Sequence, residues 1–240
     1  MLPFHFGARA HPPAVSTDDS TREGPAPSPR RVLAIGAHCD DIEIGAGGTL
    51  SSWAEQDPDI QFHAVVLCST PRRAQETRDC LTALCAPAAV SVDVLDLPDT
   101  RLPAHVDAVK DLLASLARTA WDVILTHHRF DAHQDHRLLG EFAPTAFRDH
   151  LVLGFEVPKW DGDLGTSSAN LYVPLTRVQV EAKWSALDAC HVSQHGKDWW
   201  DAETFAALAR LRGMECRTRY AEAFRVEKML LGPWPERMTP

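Results

Sequence analysis

A polar cluster of chemical interest follows a short apolar segment, residues 32–35. The segment is typical of a strand buried on both faces of a parallel sheet. His38 and Asp41 stand three positions apart on the turn that follows, and an imidazole and a carboxylate at this spacing could bind one zinc ion. Asp40, between them, would then be free to take a proton from water on the metal. The alternative interpretation is a solvated loop whose aspartates cap a helix.

A second polar cluster follows another apolar segment, residues 123–125. It contains His133, Asp135 and His136, which we place at the start of the next helix. Because the carboxyl ends of parallel strands meet at one edge of a sheet, we expect the two clusters to form one site. Three protein ligands with open positions for water and substrate are typical of catalytic zinc. Three more polar residues of this loop are interpreted as shaping it: His127, His128 and Asp131.

Both clusters resemble motifs of the PIG-L/LmbE-like zinc-dependent N-deacetylases. The first is similar to the family's Ala-His-Pro-Asp-Asp motif with its trailing Gly-x-Gly-Gly-Thr, and the second, residues 133–136, to its His-x-Asp-His motif. The resemblance extends over residues 31–231. It implies an α/β fold, a Rossmann-like three-layer sandwich with a mostly parallel sheet. It also implies hydrolysis of an N-acyl group, commonly the acetyl group of an amino sugar.

The resemblance also assigns roles to individual residues. It implies one zinc ion per chain, or another divalent metal, with three ligands: His38, Asp41 and His136. Asp40 would be the general base, and His133 would stabilise the oxyanion or act as an acid, with Asp135 orienting it as a charged imidazole. Two positions depart from the family pattern, since Cys39 replaces a proline and Ile42 replaces a frequent acidic residue. A thiol beside zinc could ligate the metal or oxidise.

Four residues are weaker candidates for substrate contact, and each has an ordinary structural alternative. Arg73 could bind a sugar hydroxyl or form a surface ion pair with Glu76. Asp99 stands in a turn beside a proline, and His195 lies in a polar turn whose direction the sequence does not reveal. Trp160, in a turn-rich loop, could stack on a sugar ring or cover the core.

Composition limits the classes of partner. The net charge of −9 disfavours nucleic acid and anionic membranes, because phosphate binding needs a basic surface. No apolar run approaches the ~20 residues of a membrane span. The six cysteines form no CxxC pair, which favours reduced thiols in a cytoplasmic protein. A small-molecule substrate is therefore the expected partner, with a homo-oligomer left open.

We predict a Pro-rich flexible arm at residues 1–30 and a single domain at residues 31–240, with no internal repeat. Apolar periodicity predicts strands at residues 32–35, 60–68, 90–95, 121–125, 151–157, 171–174 and 220–231. It predicts helices at residues 49–55, 72–84, 105–118, 133–147, 176–189 and 203–212. The glycines of residues 45–48 are interpreted as part of a loop that lets the backbone approach a ligand.

Four other functions are compatible with part of the sequence. An amidase acting on a non-sugar amide, such as a thiol conjugate or a secondary-metabolite intermediate, shares every motif. A nucleotide-binding Rossmann protein is disfavoured because the glycines follow the acidic pair instead of the strand. A cysteine hydrolase would use Cys39 with His133 and Asp135, and EDTA would spare it. A zinc-binding module without activity is disfavoured by the free carboxylate of Asp40.

Overall fold

The computed structural model describes residues 30–164 and 168–229, and in this part of the chain seven strands and six α-helices form. The strands are β1 (Arg31–His38), β2 (Gln61–Cys68), β3 (Ala89–Leu97), β4 (Val123–His127), β5 (Leu151–Phe155), β6 (Leu171–Leu175) and β7 (Tyr220–Lys228). The helices are α1 (Asp41–Gln56), α2 (Pro71–Cys85), α3 (Val106–Leu116), α4 (Gln134–Ala146), α5 (Arg177–Cys190) and α6 (Ala202–Glu215). Each predicted strand and helix has a counterpart in the described residues, although residues 230 and 231 of the last predicted strand lie outside them. The main difference is the start of α1.

The strands form one sheet in the order β3-β2-β1-β4-β5-β7-β6. Strands β1 to β5 are parallel, and β7 is antiparallel to both β5 and β6. Alternate residues of β1 enter two cores, because Val32 and Ala34 pack with α1, α2, α5 and α6, whereas Leu33 and Ile35 pack with α3 and α4. The sheet therefore lies between two helical layers. The predicted three-layer α/β sandwich with a mostly parallel sheet is confirmed.

Helix α1 begins at Asp41, directly after the first cluster, and not at Thr49 as predicted. The glycines of residues 45–48 are helical, so the predicted glycine loop is wrong. A Cβ atom on Gly45 would lie 2.4 Å from the ring of Phe155, and one on Gly48 would lie 2.6 Å from Leu175. The glycines thus allow α1 to pack closely on the sheet. This contact offsets the low intrinsic helix propensity of glycine.

The order of the strands places the two motifs together. The chain leaves β1 toward β2 and returns on its other side at β4, which makes the gap between β1 and β4 a topological switch point. His38 is the last residue of β1, and His127 is the last residue of β4. Ligands of open α/β sheets bind at this edge.

Two further predictions concern the N-terminal arm and membrane-spanning segments. The predicted N-terminal arm lies outside the described residues except for Arg30, which pairs with Asp57 at 3.0 Å. None of the helices in the described ranges is long and apolar enough to cross a membrane.

Candidate active site and metal centre

Three side-chain atoms from the two motif loops converge at the switch point. His38 Nδ1 lies 3.1 Å from His136 Nε2, and Asp41 Oδ2 lies 3.4 Å from each of these nitrogens. All three residues are buried. A tetrahedral zinc site with bonds of about 2.0–2.1 Å has edges of about 3.3–3.4 Å. The spacing and the donor set of two imidazoles and one carboxylate therefore fit a zinc ion.

Two carboxylates lie behind the imidazole of His38. Its Nε2 is 3.1 Å from Asp135 Oδ2 and 2.9 Å from Asp99 Oδ1, so the N–H points to the carboxylates and Nδ1 points inward. Burial lowers the pKa of His38, but its contacts with Asp135, Asp41 and Asp99 raise it to about 12. In the metal-free protein this imidazole therefore carries a proton that a cation at the same place would displace.

His136 is held from behind in the same way, by Asp131. Its Nδ1 lies 3.0 Å from Asp131 Oδ2, while the other oxygen of Asp131 lies 2.9 Å from Lys159 Nζ. Burial raises the pKa of Asp131, but His136 and Lys159 lower it well below its usual range. The carboxylate is therefore ionised, and it fixes the tautomer in which His136 Nε2 is free to bind a cation. Our interpretation of Asp131 as a residue that only shapes the loop is too narrow.

The buried His127 supports this group from the end of β4. Its ring stacks on His136 with centroids 3.8 Å apart, and its Nε2 lies 3.2 Å from Asp41 Oδ2. Burial lowers the pKa of His127 to about 3, so the ring is neutral. Because its Nε2 accepts a hydrogen bond from the Ala37 N–H at 3.0 Å, its lone pair is already used, and we regard His127 as a packing partner. The sequence offers one signal for His127: it is the last residue of a buried strand, as His38 is in β1.

Asp40 has a left-handed backbone conformation, with φ at 91°. This conformation is uncommon for a residue other than glycine, and it turns the chain sharply between His38 and Asp41. The Asp40 carboxylate accepts a hydrogen bond from Arg73 at 2.9 Å, and the same guanidinium group donates to the backbone carbonyl of Cys39. Burial raises the pKa of Asp40 to about 6, although Arg73 opposes the shift. Arg73, predicted to contact substrate, thus anchors this loop.

The arrangement around His133 differs from the expected one. The Asp135 carboxylate is hydrogen-bonded to His38 and to the backbone N–H of Leu102, and the Asp135 backbone N–H donates to His133 Nδ1 at 3.3 Å. Burial and the neighbouring imidazoles of His136 and His38 lower the pKa of His133. The Asp135 carboxylate thus contacts His38 and not the His133 ring, and the lowered pKa of His133 favours its neutral form over the charged imidazole expected from the sequence.

The three remaining candidates for substrate contact differ in how closely they are joined to the site. Asp99 joins the site through His38, although 63% of its side chain is exposed. Trp160 is 68% exposed, so it does not cover the core, and its Nε1–H donates to Asp198 at 3.1 Å. The His195 ring is bound to Asp188, at 2.9 Å from its backbone oxygen and 3.1 Å from its carboxylate. This contact directs His195 to helix α5, and no described contact joins it to the site.

The thiol of Cys39 faces away from the converging ligand atoms. Its Sγ lies 3.4 Å from Ser69 Oγ and 4.0 Å from the Cys68 carbonyl oxygen. Burial raises the pKa of the Cys39 thiol, which disfavours the nucleophilic thiolate. Neither metal ligation nor a cysteine nucleophile is favoured by this geometry.

The fold and the site together define a class of protein: a three-layer α/β protein with a cluster of histidines and aspartates at the switch point of its sheet. Residues 33–147 match the sequence model of the PIG-L family, described as GlcNAc-PI de-N-acetylase. The "Uncharacterized deacetylase YaiS" of Escherichia coli K12 is 30% identical over 154 residues, covering 58% of this chain and 80% of that protein. The diacetylchitobiose deacetylase of Thermococcus kodakarensis is 25% identical over 229 residues, covering 82% of each. The chain belongs to the PIG-L family.

A solved structure with the same fold has a different activity. GalB, the 4-carboxy-2-hydroxymuconate hydratase of Pseudomonas putida KT2440, superposes with a TM-score of 0.69 at 19% identity, covering 86% of this chain and 100% of that one. At this identity the likeness concerns the fold alone. Because one fold can carry several reactions, the residues of the site and not the fold determine the reaction of this protein.

Proposed function

We propose that the protein is a zinc-dependent hydrolase that removes an N-acetyl or other N-acyl group from an amino sugar or from a metabolite that contains one. The observation that carries the proposal is the spacing of 3.1–3.4 Å between the inward atoms of His38, Asp41 and His136. Membership of a de-N-acetylase family supports the reaction type. The six unpaired cysteines support a cytoplasmic location as part of the proposal.

In this proposal His38, Asp41 and His136 hold the ion. Bound zinc would supply Lewis acidity, which polarises an amide carbonyl and makes water a stronger nucleophile near neutral pH. Asp40 takes the proton of the attacking water, because it adjoins a ligand in the chain and is held in place by Arg73. The protonated Asp40 then returns that proton to the leaving nitrogen.

His133 is the proposed donor to the oxyanion. In the neutral ring Nδ1 accepts the Asp135 backbone N–H, so the ring proton is on Nε2. The His133 and His38 rings meet edge to face with centroids 4.8 Å apart, which places His133 next to the ligand group. A fixed N–H donor beside the reacting carbonyl stabilises the negative charge that develops on its oxygen.

A sugar substrate is supported by two exposed aromatic side chains on the loops that follow β4 and β5. Phe130 is 49% exposed and Trp160 is 68% exposed. The Trp160 ring is fixed by Asp198 and by an edge contact with Trp199, so it presents a preordered face. Exposed apolar surface beside a polar site is characteristic of ligand-binding grooves.

The test is a substrate panel with the zinc-loaded protein. It contains N-acetylated amino sugars in free, nucleotide-linked and conjugated forms, together with N-acyl amides that lack a sugar. We expect release of acetate and a free amine from at least one sugar, loss of this activity with EDTA, and recovery with zinc. Cleavage of the non-sugar amides alone would favour the amidase alternative. Absence of hydrolysis across the panel would contradict the proposal.

We expect Asp131→Asn to weaken zinc binding at the site of His38, Asp41 and His136 by about 10–100-fold, the usual effect of losing a carboxylate behind a histidine ligand. The amide can no longer attract the N–H of His136 as an anion does, and it loses its ion pair with Lys159. Competition with a chromophoric chelator measures the affinity. The matched control is Asp163→Asn, which keeps the Asp131–Lys159 contact; an equal loss of affinity in both variants would contradict the assignment.

A further inference from the structure

A second cluster of potential metal ligands shares no residue with the site described above. It consists of Glu43 from α1, Cys80 from α2 and His191, the residue after α5. Each of the three residues is 0% exposed. One ligand atom from each lies within 4.8 Å of the other two. The three helices pack together on one face of the sheet, so this Glu-Cys-His cluster lies where they meet.

Two buried atoms of the Glu-Cys-His cluster lack a hydrogen-bond partner among the described residues, namely Glu43 Oε2 and His191 Nδ1. The only described bond between the two side chains joins Glu43 Oε1 to His191 Nε2 at 3.2 Å. Buried polar atoms are nearly always satisfied, because leaving one without a partner costs its full desolvation penalty. Glu43 Oε2 and His191 Nδ1 therefore offer two buried polar atoms that can bind a further group.

A further thiol extends the donor set. Cys190, the last residue of α5, is a neighbour of Cys80, and burial raises the pKa of both thiols. Thiolate, imidazole and carboxylate donors together select zinc or a similar soft to borderline cation. Ligand atoms around tetrahedral zinc are about 3.3–3.8 Å apart, so a cluster within 4.8 Å needs only small side-chain shifts to close on an ion.

We propose that Glu43, Cys80 and His191, with Cys190 as a fourth ligand, bind a structural zinc ion that cross-links α1, α2 and α5. With all four ligands, one divalent ion enters and three protons leave, one each from the Cys80 thiol, the Cys190 thiol and the Glu43–His191 pair. The site then carries one net negative charge, and the Cys190 thiolate that contributes it is only partly buried. Because Glu43 is in the first turn of α1, the ion would stabilise the position of that turn, which also carries Asp41.

The test measures metal content and the environment of the metal in the full chain, purified under reducing conditions. We expect about two zinc ions per chain in the wild type, about one in Cys80→Ser, and about two in Cys85→Ser. Cys85 is the matched control, since its thiol is also buried in α2. The cobalt(II) form is expected to show a near-ultraviolet sulfur-to-cobalt band in the wild type and in Cys85→Ser, and to lose it in Cys80→Ser.

Two further variants separate this site from the first one. Cys39→Ser and His136→Ala are both expected to keep the cobalt band. A wild type with about one zinc ion and no band overturns the proposal, even if Cys80→Ser does not fold. A band that disappears with Cys39→Ser and persists with Cys80→Ser also overturns it, because the sulfur would then ligate the first metal. Inactivity toward every amide would count against the proposed reaction alone.

Discussion

Replacement of Asp40 by asparagine is expected to lower kcat by about 10²–10⁴-fold while leaving the zinc content unchanged. The amide has nearly the same shape, and its oxygen can still accept the hydrogen bond that Arg73 donates to Asp40. It cannot take a proton from the attacking water, so the loss falls on the chemical step. Steady-state kinetics on the best substrate of the panel, with elemental analysis of the same preparation, measures both quantities.

The matched control for this variant is Asp96→Asn. Asp96 is an exposed residue near the carboxyl end of β3, at the same edge of the sheet, and it should keep both activity and metal. Full activity in Asp40→Asn would remove Asp40 from the role of base. Loss of zinc in Asp40→Asn would instead indicate that its carboxylate helps to hold the ion.

Much of the fold could be predicted because its determinants are local or periodic. Continuous apolar runs such as residues 32–35 predict strands covered on both faces, and the structure places alternate residues of β1 in two cores. The start of α1 could not be predicted in this way. Intrinsic propensity places residues 45–48 outside a helix, and only the packing of Gly45 on Phe155 makes glycine favourable there.

The convergence of the two motifs could be predicted from topology alone, since two strand ends at one switch point meet in space. The hydrogen bonds within the site could not. His133 and Asp135 are two positions apart at the start of α4, and side chains at that spacing do not face each other on a helix. The Asp135 carboxylate therefore turns to His38, which is 97 positions away in the chain.

The Glu-Cys-His cluster has no sequence signal for a related reason. Glu43 and His191 are 148 positions apart, and neither has a ligand spacing that marks a metal motif. Their contact depends on how α1 and α5 pack across a shared face of the sheet. Such packing is a property of the folded core, which local patterns do not encode.

Replacement of His136 by alanine is expected to remove one zinc ion per chain and to lower kcat/KM by at least about 10³-fold. A Lewis acid contributes several kcal/mol to stabilising the transition state, and about 4 kcal/mol corresponds to a factor of about 10³. The variant leaves only His38 and Asp41 as ligands at the first site and deprives Asp131 of the imidazole 3.0 Å from it. Elemental analysis and steady-state kinetics are the measurements.

The matched histidine control is His195→Ala. Because the His195 ring is bound to Asp188 and 45% of its side chain is exposed, this variant is expected to keep the metal and the activity. A far-ultraviolet spectrum and a urea unfolding curve establish that His136→Ala remains folded. A folded His136→Ala protein with undiminished zinc content would contradict the ligand assignment.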